Sequence, residues 1–327
     1  MAPRKDTDYL AISARIRAME NRMLTREKLE RLIDARDTAE ARKLLTECGY
    51  SDSSSLEEAL AKARGEVFRD MASAVPDAKL TEVFQLKYDC HNAKTILKAQ
   101  AMGVDARRLL LAGGRYDPDR LLESWQRGSL SGVSDHFRKA MERAAAVLKE
   151  EKDPQKADLI LDRACYEEMG QLAKELGSSF LQGYVRLSVD VANLRTAVRV
   201  HRMERSPEFL RQVLLDGGNV SAQTIASARR EGLADVFRGG PLAQAAELGT
   251  SLTRPGSGAL TLFERECDNA LTAYLSAARR VSFGEEAVIG YLYAKEQEFT
   301  AIRAVFAGRA AGLDGDTIRM RLRETYV

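Results

Sequence analysis

Apolar positions in this chain recur at three- and four-residue spacing, and no stretch sustains a period of two, so the chain is read as all-α. The pattern also repeats itself. Residues 87–97 and 188–198 align on an acid, Asp89 or Asp190, with Asn92 or Asn193 three positions on and Lys94 or Arg195 five positions on. A looser copy at 298–306 keeps the acid as Glu298 and the base as Arg303. At about 100° per residue, Cys90, Val191 and Phe299 (one after the acid), Ala93, Leu194 and Ile302 (four after) and Leu97, Val198 and Phe306 (eight after) share one narrow apolar stripe. Val83, Tyr184 and Leu292 border it. The acid stands on one shoulder and the base on the other, which suits a helix packed between neighbours. Asp89 and Asp190 then either bond an adjacent helix or line a cavity.

The acids lie about a hundred residues apart, beyond the roughly 20–50-residue periods of open solenoids. Three similar helical units in one body are therefore expected, over residues 1–125, 126–228 and 229–327. Flanking segments recur with the anchors. Leu110-Leu111-Ala112-Gly113-Gly114 and Leu214-Leu215-Asp216-Gly217-Gly218 read as helix ends stopped by glycine. Gly312-Leu313-Asp314-Gly315 precedes a helix start with acids in its first turn. Upstream, the segment 161–165 (with Asp162 and Cys165) answers 263–267 (with Glu264 and Cys267). Breaks are expected near 23–25, 51–55, 75–77, 128–134, 152–154, 177–179, 239–241, 254–258 and 281–285. Thr25 and Thr38 are expected to cap helices, and Pro118 to occupy a first turn.

Composition narrows the function classes. The 327 residues are 45% hydrophobic and 30% charged, with seven prolines and 6% aromatics, a profile of soluble helical proteins with ample core. No apolar run approaches the roughly eighteen residues of a membrane span. The opening Met1-Ala2-Pro3-Arg4-Lys5-Asp6 lacks an apolar signal core, so a cytoplasmic location is expected. Cys48, Cys90, Cys165 and Cys267 stand singly, which predicts reduced core thiols rather than a disulfide framework or zinc site. A net charge of +2 gives no ground for a nucleic-acid partner. Residues 193–211 are a local exception, with Arg195, Arg199, Arg202, Arg205, Arg211 and His201 against Glu204 and Glu208. That run is either a solvated or interface face or a contact for an acidic partner.

Chemistry is sparse. Phosphate-loop, dinucleotide-binding and HExxH motifs are absent, and His91, His136 and His201 are too dispersed for a metal centre. Asp135-His136 beside Ser134 suggests part of a triad but lacks a nucleophile elbow. No catalytic residue, cofactor, metal or small-molecule substrate is expected.

Three copies centred on Asp-x-x-Asn-hydrophobic-[Lys/Arg], with the segment 291–303 carrying Tyr291, Tyr293, Lys295, Glu296, Glu298, Ile302 and Arg303, resemble a known family. It is the C subunit of bacterial and archaeal V/A-type rotary ATPases, whose eukaryotic counterpart is the d subunit of the vacuolar pump. The resemblance covers essentially the whole chain and departs at Ala93 and Ala301. It implies three helical units around a pseudo-threefold axis, forming a funnel. Such a protein is a non-catalytic collar, peripheral on the cytoplasmic face of the membrane. One end sits on the membrane rotor-ring proteolipid, and its opening receives the central shaft formed by two other subunits. It transmits the rotation that couples ATP synthesis or hydrolysis to proton or sodium transport, and binds neither nucleotide nor ion. The partner-facing candidates are then Asp89, Asn92, Lys94, Asp190, Asn193, Arg195, Glu298 and Arg303, followed by Arg199 and Arg202, with packing between the repeats as their alternative role. The competing reading is a cytosolic all-helical adaptor unrelated to ATPases.

Overall fold

The computed structural model describes residues 5–327, and among them every regular element is helical, as the apolar spacing predicts. Residues 1–4 of the expected signal-free opening lie outside the described residues. The α-helices are α1 (Leu10–Glu20), α2 (Arg26–Ile33), α3 (Thr38–Glu47), α4 (Leu56–Ala74), α5 (Lys79–Met102), α6 (Pro118–Gln126), α7 (Asp135–Glu150) and α8 (Pro154–Leu176). They continue as α9 (Ser179–Arg202), α10 (Pro207–Val213), α11 (Ala222–Ser227), α12 (Leu233–Phe237), α13 (Ala243–Ser251), α14 (Thr261–Leu275), α15 (Glu285–Ala310) and α16 (Gly315–Arg321). No described helix is long and apolar enough to cross a membrane.

Local chemistry sets the boundaries. Thr25, Ser134, Asp153, Ser206 and Asp314 each accept a backbone N–H from the first turn they precede, satisfying a donor the helix leaves open. Prolines open α6, α8 and α10, where their missing N–H costs nothing. Thr38 does not cap α3. Asp37 does, taking the Glu40 N–H at 2.8 Å, because a carboxylate one residue earlier caps equally well and also complements the helix dipole.

The glycine pairs are a second correction. Gly113-Gly114 and Gly217-Gly218 do not stop helices; they lie in irregular chain, past a 3-10 turn at Arg107–Leu109 and past α10 respectively. The anchor helices α5, α9 and α15 end earlier, on Gly103 (φ 68°), Glu204 (φ 53°) and Gly312 (φ 69°), the same number of residues past Asp89, Asp190 and Glu298. At each end the next N–H folds back onto the last turn: Val104 to the Ala99 carbonyl (3.0 Å), Arg205 to Val200 (3.2 Å) and Leu313 to Gly308 (3.0 Å).

The chain divides into two compact units, Arg64–Ser178 and the pair of segments Met1–Ala63 with Ser179–Val327. In the contiguous unit α5 and α7 pack on α8 around Ile96, Leu97, Leu121, Phe137, Met141 and Leu161, with Tyr116 and Trp125 at the edge. In the two-segment unit α1, α2, α14 and α16 pack on α15, and α13 and α14 on α9. The chain beyond α16 is tied down there. Arg323 Nε donates to Asp268 Oδ2 at 2.8 Å, the Glu324 N–H to Asn269 at 3.0 Å, and Tyr326 is buried against Gly290.

The anchor helices are buried more widely than a narrow stripe. The stripe residues are buried, apart from a half-buried Phe306, but so are the acids Asp89, Asp190 and Glu298 on one shoulder and the amides Asn92 and Asn193, while the bases on the other shoulder are half-buried. Neighbours on several sides leave these helices little solvent face. Cys90, Cys165 and Cys267 are free buried thiols and Cys48 is half-buried. Burial pushes Cys267 up to about 12 and raises Cys48.

Candidate functional site

The buried acids and amides of the first two anchor helices do one job twice. Asn92 Nδ2 donates to the Leu111 carbonyl (2.9 Å) while Oδ1 accepts the Leu111 N–H (2.8 Å). Asn193 does the same to Leu215, at 2.8 Å both ways. Farther along the same loops, Asp89 Oδ1 accepts the Tyr116 N–H (3.3 Å) and Asp190 Oδ1 the Val220 N–H (3.1 Å). The other carboxylate oxygen takes the side chain one residue earlier, Arg115 Nε at 2.7 Å or Asn219 Nδ2 at 2.8 Å.

Glycine is required between these contacts. Gly113 and Gly217 hold φ of 111° and 97°, open to glycine and strained for others. A Cβ on Gly114 or Gly218 would stand 2.2 Å from the Oδ1 of Asp89 or Asp190. The loop must therefore pass bare against the carboxylate. Burial pushes Asp89 up to about 6 although Arg115 beside it acts to lower it. Asp190 is raised for the same reason, with backbone N–H groups and Asn219 opposing.

Glu298, on α15, is served from the N-terminal segment instead. Its Oε2 accepts the Leu24 N–H at 2.6 Å, and Oε1 bonds the Tyr50 hydroxyl and Lys295. Burial and Glu298 together raise the Tyr50 phenol well above its ordinary value.

The bases five positions after each acid pair with acids on other helices, α8, α14 and α4 in turn. Lys94 Nζ is 2.5 Å from Asp162, and Arg195 Nε is 2.6 Å from Glu264. The two acids are those that the sequence places in matching segments. Arg195 also pairs with Asp268 (2.8 Å), and Arg303 grips Glu57 with Nε and Nη2 (2.7 Å at the shorter). Arg199 is exposed and bonded to Glu264 at 2.6 Å, and Arg202 is half-buried with Nη1 enclosed and unbonded. Thus the ten expected residues fall into buried locks (Asp89, Asn92, Asp190, Asn193, Glu298), half-buried ion pairs (Lys94, Arg195, Arg303) and the α9 arginines Arg199 and Arg202.

Two residues escape a sequence reading. Arg115 joins Asp89 to Glu168 (Nη1 to Oε1, 2.7 Å), and its signal is the donor side chain directly after each glycine pair. Arg64 is almost wholly buried, its Nη1 donating to the Ala112 carbonyl at 3.0 Å and its guanidinium 4.5 Å from the Tyr88 ring centre. Nothing in the amphipathic pattern distinguishes it from a solvent-facing arginine. An open cleft of about 650 Å³ in the contiguous unit is lined by Glu82, Arg115, Tyr116, Ser134, His136 and Glu168. Ser134 Oγ there accepts the Phe137 N–H and donates to Glu168 (2.9 Å), while His136 Nε2 is 3.1 Å from the Ala164 carbonyl. The suggested triad is therefore not assembled. Among the described residues no cluster of three His, Cys, Asp or Glu is placed to hold a metal.

Comparison with known proteins decides the family. The family described as ATP synthase (C/AC39) subunit matches residues 12–321. The chain belongs to that family. Among C/AC39 relatives, the C subunit of the V-type sodium ATPase of Enterococcus hirae is 21% identical over 325 residues, covering 98% of this chain and 99% of its own. The C subunit of the A-type ATP synthase of Halobacterium salinarum is 28% identical over 256 residues, covering 72% and 71%. That of Methanocaldococcus jannaschii is 23% identical over a 345-residue alignment, covering 96% and 86%. The chain is thus of the C-subunit type of V/A-type ATPases, as its repeated anchors suggest.

Proposed function

We propose that this chain is the non-catalytic collar of the central stalk in a V/A-type ATPase, joining the rotating shaft to the membrane rotor ring and passing torque between them. The match to the C/AC39 family over residues 12–321, with relatives named as ATPase subunits along the length of both chains, carries the reading. Its partners are the shaft subunits and the ring proteolipid, and it lies peripherally on the cytoplasmic face of the membrane. Three helical copies over 1–125, 126–228 and 229–327 form the funnel.

The bonding supports a mechanical role. A part loaded in torsion must return torque rather than absorb it in loose loops. Here the loops at 111–116 and 215–220 are fastened to α5 and α9 by paired amide and carboxylate bonds in dry surroundings, where such bonds are stiff and costly to break. The buried Asp89, Asn92, Asp190, Asn193 and Glu298 keep the collar's shape. Partner contacts fall to the more exposed edge, Lys94, Arg195, Arg199, Arg202 and Arg303.

The test is affinity capture of the tagged chain from native membranes in mild detergent, with mass spectrometry of what comes with it. Recovery of the ring proteolipid with shaft and nucleotide-binding subunits is the expected result. Recovery of none of them, with the tagged chain intact, overturns the collar and leaves a free adaptor.

A further inference from the structure

Several irregularities meet at the C-terminal end of α9. Glu204 holds a left-handed φ of 53° at the position where α5 and α15 end on Gly103 and Gly312, so a side chain sits in a strained conformation that glycine relieves elsewhere. Next to it, Met203 is 60% exposed. His201 Nε2 and Arg202 Nη1 are enclosed yet bond nothing. Burial, with Arg230 alongside, pushes the His201 imidazole below its ordinary value, so it stays neutral.

Basic charge gathers at the same place. Arg230 Nη2 donates to the His201 carbonyl at 3.1 Å and lies 4.0 Å from Glu204. Arg205 is exposed, its guanidinium 5.2 Å from the Phe209 ring centre. One and two turns earlier the helix differs, because Arg199 is bonded to Glu264 and Arg195 to Glu264 and Asp268. Over residues 200–211 and 229–231, Arg202, Arg205, Arg211, Arg229 and Arg230 stand against Glu204, Glu208 and Glu231. Strain and unbonded buried polar groups concentrate at functional positions. Arginine and methionine are the residues that interfaces favour.

We infer that this end of α9 is a docking surface for an acidic protein segment, whose carboxylates meet Arg202, Arg205 and Arg230 around an aliphatic side chain packed on Met203. Guanidinium forks bind carboxylates bidentately, and an unbranched thioether moulds to an apolar neighbour. The inference rests on the collar reading for its partner, which is another subunit of the same complex.

A benzoylphenylalanine photoprobe at Met203 of the full-length tagged chain tests it, with the same probe at Met320 (53% exposed, on α16) as the control. Membranes are irradiated before detergent capture. Co-recovery of other ATPase subunits without irradiation reports the collar reading separately. The expected result is a crosslink from position 203, absent from 320, to an Asp/Glu-rich peptide of one co-recovered subunit. Its yield should fall at least tenfold in Arg202→Glu/Arg205→Glu and severalfold in the exposed single change Arg205→Glu, in chains with unchanged circular dichroism. The inference is overturned if the complex co-purifies but position 203 captures nothing, captures lipid or a lysine-rich peptide, or captures equally in both variants. Loss of co-recovery itself overturns the collar reading and, with it, this partner.

Discussion

Asn193 holds both polar groups of one buried peptide unit, the N–H and the carbonyl of Leu215. Asn193→Ala leaves both unpaired, at a cost of about 2–4 kcal/mol. Urea unfolding should show that loss, and a change near zero would mean the loop finds other partners. Backbone handedness gives a second test. Gly103→Ala should destabilise by about 1 kcal/mol, since a side chain must enter the left-handed region. Glu204→Gly should go the other way by about 0.5 kcal/mol, the relief of strain being partly offset by glycine's freedom when unfolded. Equal signs in paired thermal melts would refute the equivalence of the two helix ends. Asp89 makes a pH statement. Its folded carboxyl sits near 6, above its unfolded value, so the folded chain holds the extra proton between about pH 4 and 6. Its contribution to stability is therefore greatest at low pH and declines as pH rises through that window. Asp89→Asn should compare more favourably with the native chain at pH 7 than at pH 4.5, and a pH-independent difference would contradict the assignment.

At the scale of elements, helix existence was legible and the reason for the loops was not. The three- and four-residue spacing of apolar positions locates α5, α9 and α15, and the breaks expected near 75–77, 152–154 and 177–179 coincide with the boundaries between α4 and α5, α7 and α8, and α8 and α9. Gly113-Gly114 and Gly217-Gly218 misled because a helix stop and a loop pressed on a carboxylate both select glycine. Only the folded chain shows Asp89 or Asp190 waiting opposite. Likewise the sequence marks Asp89 and Asn92 as special but not what they hold, since their partners come from nineteen to twenty-seven residues on. Gly114→Ala and Gly218→Ala should each cost about 1–3 kcal/mol by displacing the acid. Gly170→Ala, inside α8 with nothing within 4 Å of the added carbon, should instead stabilise by up to about 1 kcal/mol. Calorimetry on the three variants settles it, and a costly Gly170→Ala would speak against the packing described for α8.

For the whole molecule, connectivity separates the two units more sharply than composition does. Arg64–Ser178 is one continuous stretch, whereas the other unit joins chain ends. Ser13 and the Gly284 N–H meet at 3.2 Å, and Arg17 reaches the Ala278 and Val281 carbonyls at 2.9 and 2.7 Å. Contacts between distant segments carry a larger loop-closure cost before they return any energy. Pulsed hydrogen exchange during refolding should therefore protect α7 and α8 before α1 and the start of α15; the reverse order would defeat this account. No local pattern in the sequence announces that residue 13 belongs beside residue 284, which is why the expected boundaries followed the repeats alone. The thiols have a practical corollary. With three of four enclosed and burial holding Cys48 and Cys267 protonated at neutral pH, alkylating dyes meet almost no native thiolate. A single cysteine installed on an exposed turn would take a fluorophore ahead of the natural ones, so the chain could be followed optically without first building a cysteine-free background.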